Sequence, residues 1–290
     1  MKKTDQMILD TNPLSPVWDT TDDGVARFRQ MVLDHYRDYG RKMPWRENTD
    51  PYSILVSEIM LQQTQVERVT IRFPAFIAAF TDFATLAGAP LSEILSAWQG
   101  MGYNRRAIAL QKCAARVMDE YGGSLPDDPT VLATFPGIGP ATASSICAFA
   151  FNRPVLFIET NIRRVFIHYF FSDIATVSDR EILPLVERAL YQENPRVWYW
   201  ALMDLGTDLR KTVQNPNRRS LHYTKQSAFE GSDRKIRGEI LRLLLPGSGL
   251  TMEQVLAFFK EDPARIRKIL AGLVWDGFIL FESDRIRLVS

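Results

Sequence analysis

The sequence predicts a mainly α protein, and three observations carry that reading. Apolar residues recur at helical spacing, Gly and Pro breakers cut the pattern into short segments, and convincing period-2 alternation is absent between residues 24 and 153. The 290 residues, 46% hydrophobic and 24% charged, suffice for one large or two ordinary domains. They exclude a disordered polymer, a collagen-like repeat and a disulfide-rich secreted module. Two cysteines, Cys113 and Cys147, are too few for a thiolate metal cage and point to a reducing compartment. No apolar run approaches the ~20 residues that span a bilayer, and MKKTDQMILDTNPLSP at the N-terminus lacks a signal-peptide pattern. A cytoplasmic chain without a membrane partner is therefore expected. The formal net charge of +1, from 35 Lys+Arg and 34 Asp+Glu, does not by itself point to nucleic acid.

Residues 1–23, with two Pro, five Asp and little periodicity, read as a flexible tail. A helix opens at Gly24, with Phe28, Val32, His35 and Tyr39 at helical spacing, and stops at Gly40. After the loop RKMPWREN, Asp50 and Pro51 start a second helix, the Asp as N-cap and the Pro in the first turn. Onward to Arg153 the breakers Phe73-Pro74, Gly88-Ala89-Pro90, Gly100-Met101-Gly102, Gly122-Gly123, Pro126 and Pro136 separate five or six short helices. PVLFIE (154–159) is a short extended segment; helix resumes at Thr160 and again over 181–191 and 195–205. A basic loop follows over 210–237, with eight Lys/Arg against Glu230 and Asp233. Helices near 234–245, after Thr251 and near 263–275 precede FILFESDRIRLV, which reads as two short strands around a turn. Three helices and a hairpin make 232–290 a winged-helix-like domain. Residues 238–290 hold seven basic and seven acidic side chains, as compatible with DNA binding as with a packing or protein-contact role.

Three stretches carry chemistry. In FPGIGPATA (135–143), Gly137 and Gly139 precede an apolar helical run. Such glycines let the backbone turn tightly and present consecutive N–H groups, a nest for a phosphate oxygen that needs no Lys or Arg. A plain Pro-Gly turn between helices is the alternative; the Thr-Ala continuation makes the pattern a helix-hairpin-helix signature. In SEIMLQQTQV (57–66), Glu58 sits among Ile54, Leu55, Ile59 and Leu61. Apolar neighbours raise a carboxyl's pKa and let it carry a proton at neutral pH. A solvent-facing Glu is the alternative, weakened by the cluster Gln62-Gln63-Thr64-Gln65, which suits base-edge contacts and the filling of a gap in a base stack. In FIETNIRRV (157–165), Glu159 ends the extended segment where a helix begins, with Thr160 or Asn161 available as cap. A helix N-terminus favours an ionised carboxylate. Glu58 and Glu159 thus form a pair whose environments push their pKa values apart, which divides acid and charged roles.

These stretches, with MPWRENTDPYSILVSEIMLQQTQVERV, LSAWQGMGYNRRA and WYWALMDLG, resemble the helix-hairpin-helix DNA glycosylase superfamily over about residues 25–230, and within it the MutY-like adenine glycosylases. The resemblance implies a two-lobed helix-hairpin-helix glycosylase fold that holds a flipped base in the cleft. The discontinuous helical lobe would take 24–40 and 154–231, and the six-helix lobe 41–153. It implies that Glu58 protonates the base, that Glu159 stabilises the developing sugar cation, and that Asn161 is its polar neighbour. Trp45 and Arg46 would lie at the mouth of the base pocket, and Gln63, Met101 and Tyr103 would fill the space left by the flipped base. Gly137 and Gly139 would bind phosphate; Gln62, Thr64, Arg218 and Arg219 complete the expected DNA-binding set.

Four departures shape the expectation. Glu159 stands where the family places an aspartate, and one methylene moves the carboxylate by roughly an ångström, which can cost ~100-fold in rate. Ala141 occupies the position of the bifunctional relatives' lysine, and no Lys occurs between Lys112 and Lys211, so an enzyme without AP-lyase activity is expected. After WYWALMDLG the family carries four cysteines on an iron–sulfur cluster; Arg210 sits where the first would fall, and no cofactor or metal is expected. The Nudix-like C-terminal domain is replaced by the winged-helix-like domain. The expected function is a monofunctional DNA glycosylase of base excision repair, a monomer in the cytoplasm or at a nucleoid. Its expected partner is double-stranded DNA carrying adenine mispaired with 8-oxoguanine or guanine. Another damaged or mismatched base (uracil, thymine, hypoxanthine) and a catalytically retired lesion-binding protein are the alternatives.

Overall fold

The computed structural model describes residues 18–224 and 231–289. They fold into two compact units, one formed by 18–42 with 147–224, the other by 43–146 with 231–289. Most of the expected tail (1–17), and part of the basic loop (225–230), lie outside the described residues.

Helix α1 (Asp22–Tyr39) starts two residues before the expected Gly24. Thr21 caps it by accepting the Gly24 N–H at 3.1 Å, and Asp22 and Asp23 suit the positive end of the helix dipole. Residues 18–23 are therefore no tail: the Trp18 N–H donates to the Tyr169 carbonyl at 2.9 Å and its ring meets Phe28 edge-on. The helix ends at Gly40 as expected, where a Cβ would lie 2.4 Å from the Tyr36 carbonyl.

The second unit begins with a 3-10 turn (Pro44–Arg46) and α2 (Pro51–Leu61), capped by Asp50 through the Ser53 N–H at 2.9 Å. Then come α3 (Val66–Ala79), α4 (Phe83–Gly88), α5 (Leu91–Ala97), α6 (Arg105–Tyr121), α7 (Pro129–Leu132) and α8 (Pro140–Phe151), whose residues from Cys147 onward are counted in the first unit. One expected break is absent: α3 runs through Pro74. Proline removes one helical hydrogen bond, but α3 buries Val69, Phe73 and Phe76, and that burial holds the helix together. The helices starting within 41–153 number seven because α7, a single turn, forms between Pro126 and Pro136.

Residues 152–159 carry no regular secondary structure, and Asn152 turns the chain with a φ of 55°. They lead into α9 (Thr160–Phe170), α10 (Asp179–Ala189) and α11 (Pro195–Thr212) of the first unit. Phe28, Phe166, Tyr169 and Trp198 are fully buried there, with Phe28 edge-on to Phe166 at 5.5 Å and to Trp198 at 6.2 Å. Asp204 on α11 is wholly buried, and Arg41 satisfies it through an ion pair at 2.6 Å and its backbone N–H at 2.8 Å.

The last part of the second unit comprises α12 (Asp233–Leu244), β1 (Leu250–Thr251), α13 (Met252–Phe258), α14 (Pro263–Trp275), β2 (Ile279–Glu282) and β3 (Arg285–Leu288). The sheet is antiparallel in order β1-β3-β2, with Phe281 opposite Ile286. The winged-helix-like order is as the sequence predicts, plus a two-residue strand too short to announce itself. Its separateness is not as expected, for 231–289 groups with 43–146. Asp276, which reads as an ordinary turn residue, receives Arg105 Nε of α6 at 2.8 Å as well as Arg237 of α12. No described helix is long and apolar enough to cross a membrane.

Candidate active site and nucleic-acid interface

In the second unit, Glu58 projects from a helix otherwise packed into the core through Ile54, Leu55, Val56, Ile59 and Met60. It is half-buried, with Ser145 Oγ 2.5 Å from its Oε2; the same hydroxyl lies 2.9 Å from the Thr142 carbonyl. A hydroxyl has one proton to donate and lone pairs to accept. Ionised Glu58 accepts a hydrogen bond from the Ser145 hydroxyl, whereas protonated Glu58 donates to Ser145 Oγ, whose own proton then turns to the Thr142 carbonyl. Ser145 thus serves both protonation states, as a group that gives up and regains a proton requires. No sequence motif marked it.

The turn after α2 rests on Arg106, which sequence reasoning also passed over. Its Nη1 donates to the carbonyls of Ile59, Met60 and Gln62 at 2.7–2.9 Å. Its Nη2 reaches Thr64 Oγ1 at 2.9 Å and the carbonyls of Met101 and Gly102 at 3.1 and 3.0 Å. Burial pulls the guanidinium down to about 10, partly opposed by Tyr103, so it stays charged at neutral pH. One buried cation therefore ties together the two loops expected to fill the base stack.

Within those loops the structure redistributes the expected roles. Gln63 is exposed and adopts a left-handed φ of 53°; Tyr103, half-buried, does the same at 46°. Backbone in this region is rare for residues with a side chain and is held in place by the surrounding loop. Met101, expected beside them, is 2% exposed, because its apolar side chain drops into the core under the loop. Gln62 braces the hairpin rather than being left for DNA: its Nε2 donates to the Gly137 carbonyl at 3.1 Å and lies 3.5 Å from Thr142 Oγ1. Thr64 is held by Arg106. Trp45 is a core residue, 4% exposed and edge-on to Phe73 at 5.8 Å, and not a pocket mouth; Arg46 beside it is half-buried.

The hairpin itself is α7, a tight turn and α8. Gly137 has φ 73°, and a Cβ there would come 2.9 Å from the Ala109 methyl, so only glycine fits. Gly139 has open space around it and needs no such freedom. Both glycines and Ala141 are exposed at the α8 N-terminus, where backbone N–H groups favour an anion.

In the first unit, Glu159 is itself the N-cap of α9, in place of the expected Thr160 or Asn161. Its Oε1 accepts the N–H groups of Asn161 and Ile162 at 2.6 and 2.9 Å, and Asn161 Nδ2 lies 3.3 Å from Oε2. Burial pushes its pKa up and outweighs those N–H groups, Arg164 and Arg163, which pull it down. The helix terminus alone, considered from sequence, points the opposite way. Arg164 bonds Asn161 Oδ1 at 2.7 Å and the Gly206 carbonyl at 2.6 Å, while Asn217 Nδ2 donates to the Thr160 carbonyl at 2.9 Å. Arg218 is exposed, but Arg219 is not a free phosphate ligand. It donates to the carbonyls of Phe171, Ser172 and Ile174, and to that of Ile167 at 3.3 Å, closing the C-terminal end of α9.

An acid on a core helix, a hairpin that presents backbone N–H groups and a second carboxylate at a helix start are the features that the sequence resemblance leads one to expect. Residues 56–184 match the HhH-GPD superfamily of base excision DNA repair proteins. The chain is 32% identical over 272 residues to the adenine DNA glycosylase of Mycolicibacterium smegmatis, covering 87% of this chain and 92% of that protein. Against the adenine DNA glycosylase of Mycobacterium tuberculosis it is 29% identical over 275 residues, 87% and 90% of the two chains. The solved structure of a thermostable thymine-DNA glycosylase superposes with TM-score 0.58 at 26% identity, covering 65% of this chain and 88% of that one. The chain belongs to the HhH-GPD superfamily.

Proposed function

We propose that this protein is a monomeric, monofunctional adenine DNA glycosylase, acting on adenine opposite 8-oxoguanine or guanine in duplex DNA. Glu58 protonates the flipped base, which leaves as a neutral group; Glu159 offsets the charge that develops on the sugar, and water completes hydrolysis to an abasic site. Asn161 orients Glu159 through the 3.3 Å contact to its second oxygen. The observation that carries this reading is the Glu58–Ser145 pair, which accommodates the carboxyl before and after proton transfer. The adenine DNA glycosylases with which the chain shares most of its length support the choice of base.

The absence of AP-lyase activity is supported by Ala141 in the first turn of α8 and by the absence of Lys between 112 and 211. An iron–sulfur cluster does not fit this donor set. The chain has no cysteine after Cys147; Cys113 and Cys147 are both buried, and burial pushes the Cys113 thiol up to about 12. Beyond α11 the chain is held by protein groups instead, with Arg219 on the α9 carbonyls and a 3.0 Å bond from the Leu221 N–H to the Val177 carbonyl.

The test is a panel of duplexes offering A, T, U or hypoxanthine opposite G or 8-oxoguanine, scored for strand scission before and after alkali. Excision of A, scission only after alkali, and no iron in the preparation are expected. Preference for T opposite G would transfer the assignment toward the thymine-DNA glycosylase likeness; scission without alkali would overturn the monofunctional reading. Glu58→Gln should lower single-turnover excision by at least ~100-fold while leaving duplex affinity within a few-fold. Full excision by that variant would refute the acid role, and selective binding without excision by the parent protein would identify a retired enzyme.

A further inference from the structure

The second unit holds a groove of about 780 Å³ along α3, the loop before α6 and α12. Its charge is one-sided. Arg68 and Arg72 line it from α3, and Arg234, Lys235 and Arg242 line it from α12, against Glu239 as the acidic lining residue. A chain of formal net charge +1 thus concentrates five cations in one concavity. Concave walls of low dielectric focus such a field and draw polyanions.

The groove also has a fixed relation to the loops expected at the base stack. Gln63 and Tyr103 line its edge, and Arg234 donates to the Tyr103 hydroxyl. Two guanidinium groups lie close to the Tyr103 ring, Arg106 at 5.6 Å and Arg234 at 5.3 Å from its centroid. On the segment's other elements, Arg267 and Lys268 of α14 are exposed and do not line the groove, whereas three further cations are engaged internally. Arg265 of α14 pairs with Asp233 at 2.7 Å, Arg285 caps the Ser248 and Gly249 carbonyls, and Arg287 pairs with Glu282 at 3.0 Å.

We infer that this groove carries the sugar–phosphate backbone of the DNA beside the flipped nucleotide, and that the C-terminal segment enters DNA binding through α12. The inference rests on the proposed function for its occupant. Amide side chains between the cations (Gln63, Gln65, Gln99 and Asn104) suit a polar strand of phosphates and sugars better than a compact anion. Arg68, Arg72 and Arg242 are exposed and supply point charges to phosphate.

The experiment is a salt titration of binding to a fluorescein-labelled duplex with one A opposite 8-oxoguanine, followed by anisotropy. Removing one phosphate-neutralising cation makes the slope of log Kobs against log[salt] shallower by about 0.9, so the affinity ratio between ~50 and ~200 mM salt falls by ~3.5-fold. Arg242→Ala should show one such decrement and Arg68→Ala/Arg72→Ala two. Arg242→Lys, which keeps the charge, should keep the slope. A parental slope in Arg242→Ala overturns the part played by α12, and a parental slope in both variants overturns the groove altogether. Neither result touches the enzymatic reading, which stands or falls on excision by Glu58→Gln.

Discussion

Gly206→Ala sets two magnitudes against each other. Gly206 lies inside α11, where alanine is better than glycine by about 1 kcal/mol on helix propensity. But a Cβ at 206 would sit 2.6 Å from both Asn161 Cβ and the Asn161 carbonyl oxygen, where ordinary contacts are ~3.5–4.0 Å. Helices α9 and α11 would have to separate by roughly an ångström, at the ~1–3 kcal/mol typical of overpacking. Overpacking wins, and the net loss should be up to about 2 kcal/mol, a fall in Tm of several degrees. Function should suffer more than stability. Asn161 contacts Glu159, and Arg164 bonds both Asn161 and the Gly206 carbonyl, so the same displacement moves the proposed catalytic carboxylate. An ångström there is worth ~100-fold in rate. Thermal unfolding and single-turnover excision measure the two effects separately. A higher Tm with an unchanged rate would show that propensity won, and would refute the close approach as the reason for glycine.

Burial holds the Glu159 carboxyl above its ordinary value, so folding is favoured by its proton. That contribution is complete below the unfolded pKa near 4.5 and is lost as pH rises through the folded one. Glu159→Gln should therefore melt higher than the parent at neutral pH, with the gap closing below about pH 4.5; an equal gap at both pH values would contradict the sign. Arg106→Met should cost about 3 kcal/mol or more in denaturant unfolding, because several buried carbonyls are deprived of the guanidinium donor. A loss below about 1 kcal/mol would mean that water replaces the guanidinium.

Much of the architecture was legible because it is written in short-range terms. Asp50 and Pro51 start α2, Gly40 stops α1, and the Gly100-Met101-Gly102 break separates α5 from α6. Each is a cap or a breaker that acts within one helical turn. Pro74 was misread for the complementary reason: the local penalty was visible, whereas the burial of Phe73 and Phe76 that overrides it was not. Among the site residues, motif letters located Glu58, Glu159 and the hairpin glycines but could not sort neighbours. Arg105 reaches outward to Asp276 while Arg106 is buried under two loops; Arg218 is exposed while Arg219 closes α9; Gln63 is exposed while Gln62 braces Gly137. Adjacent residues of one type differ only in the side of the backbone they leave from, and long-range packing sets that side.

By itself the sequence determined the mainly helical class, the order of elements through the C-terminal hairpin, the family, and a count of two thiols. All of these depend on residue identity and on spacings of a few positions. Tertiary structure alone decided that Ser145 faces Glu58, that Arg106 unites the two loops, that burial overrules the helix terminus at Glu159, and that α12 and α3 pool their cations in one groove. Those outcomes turn on distances between groups tens of residues apart and on how much water is left around them, and neither quantity is fixed until the chain has packed.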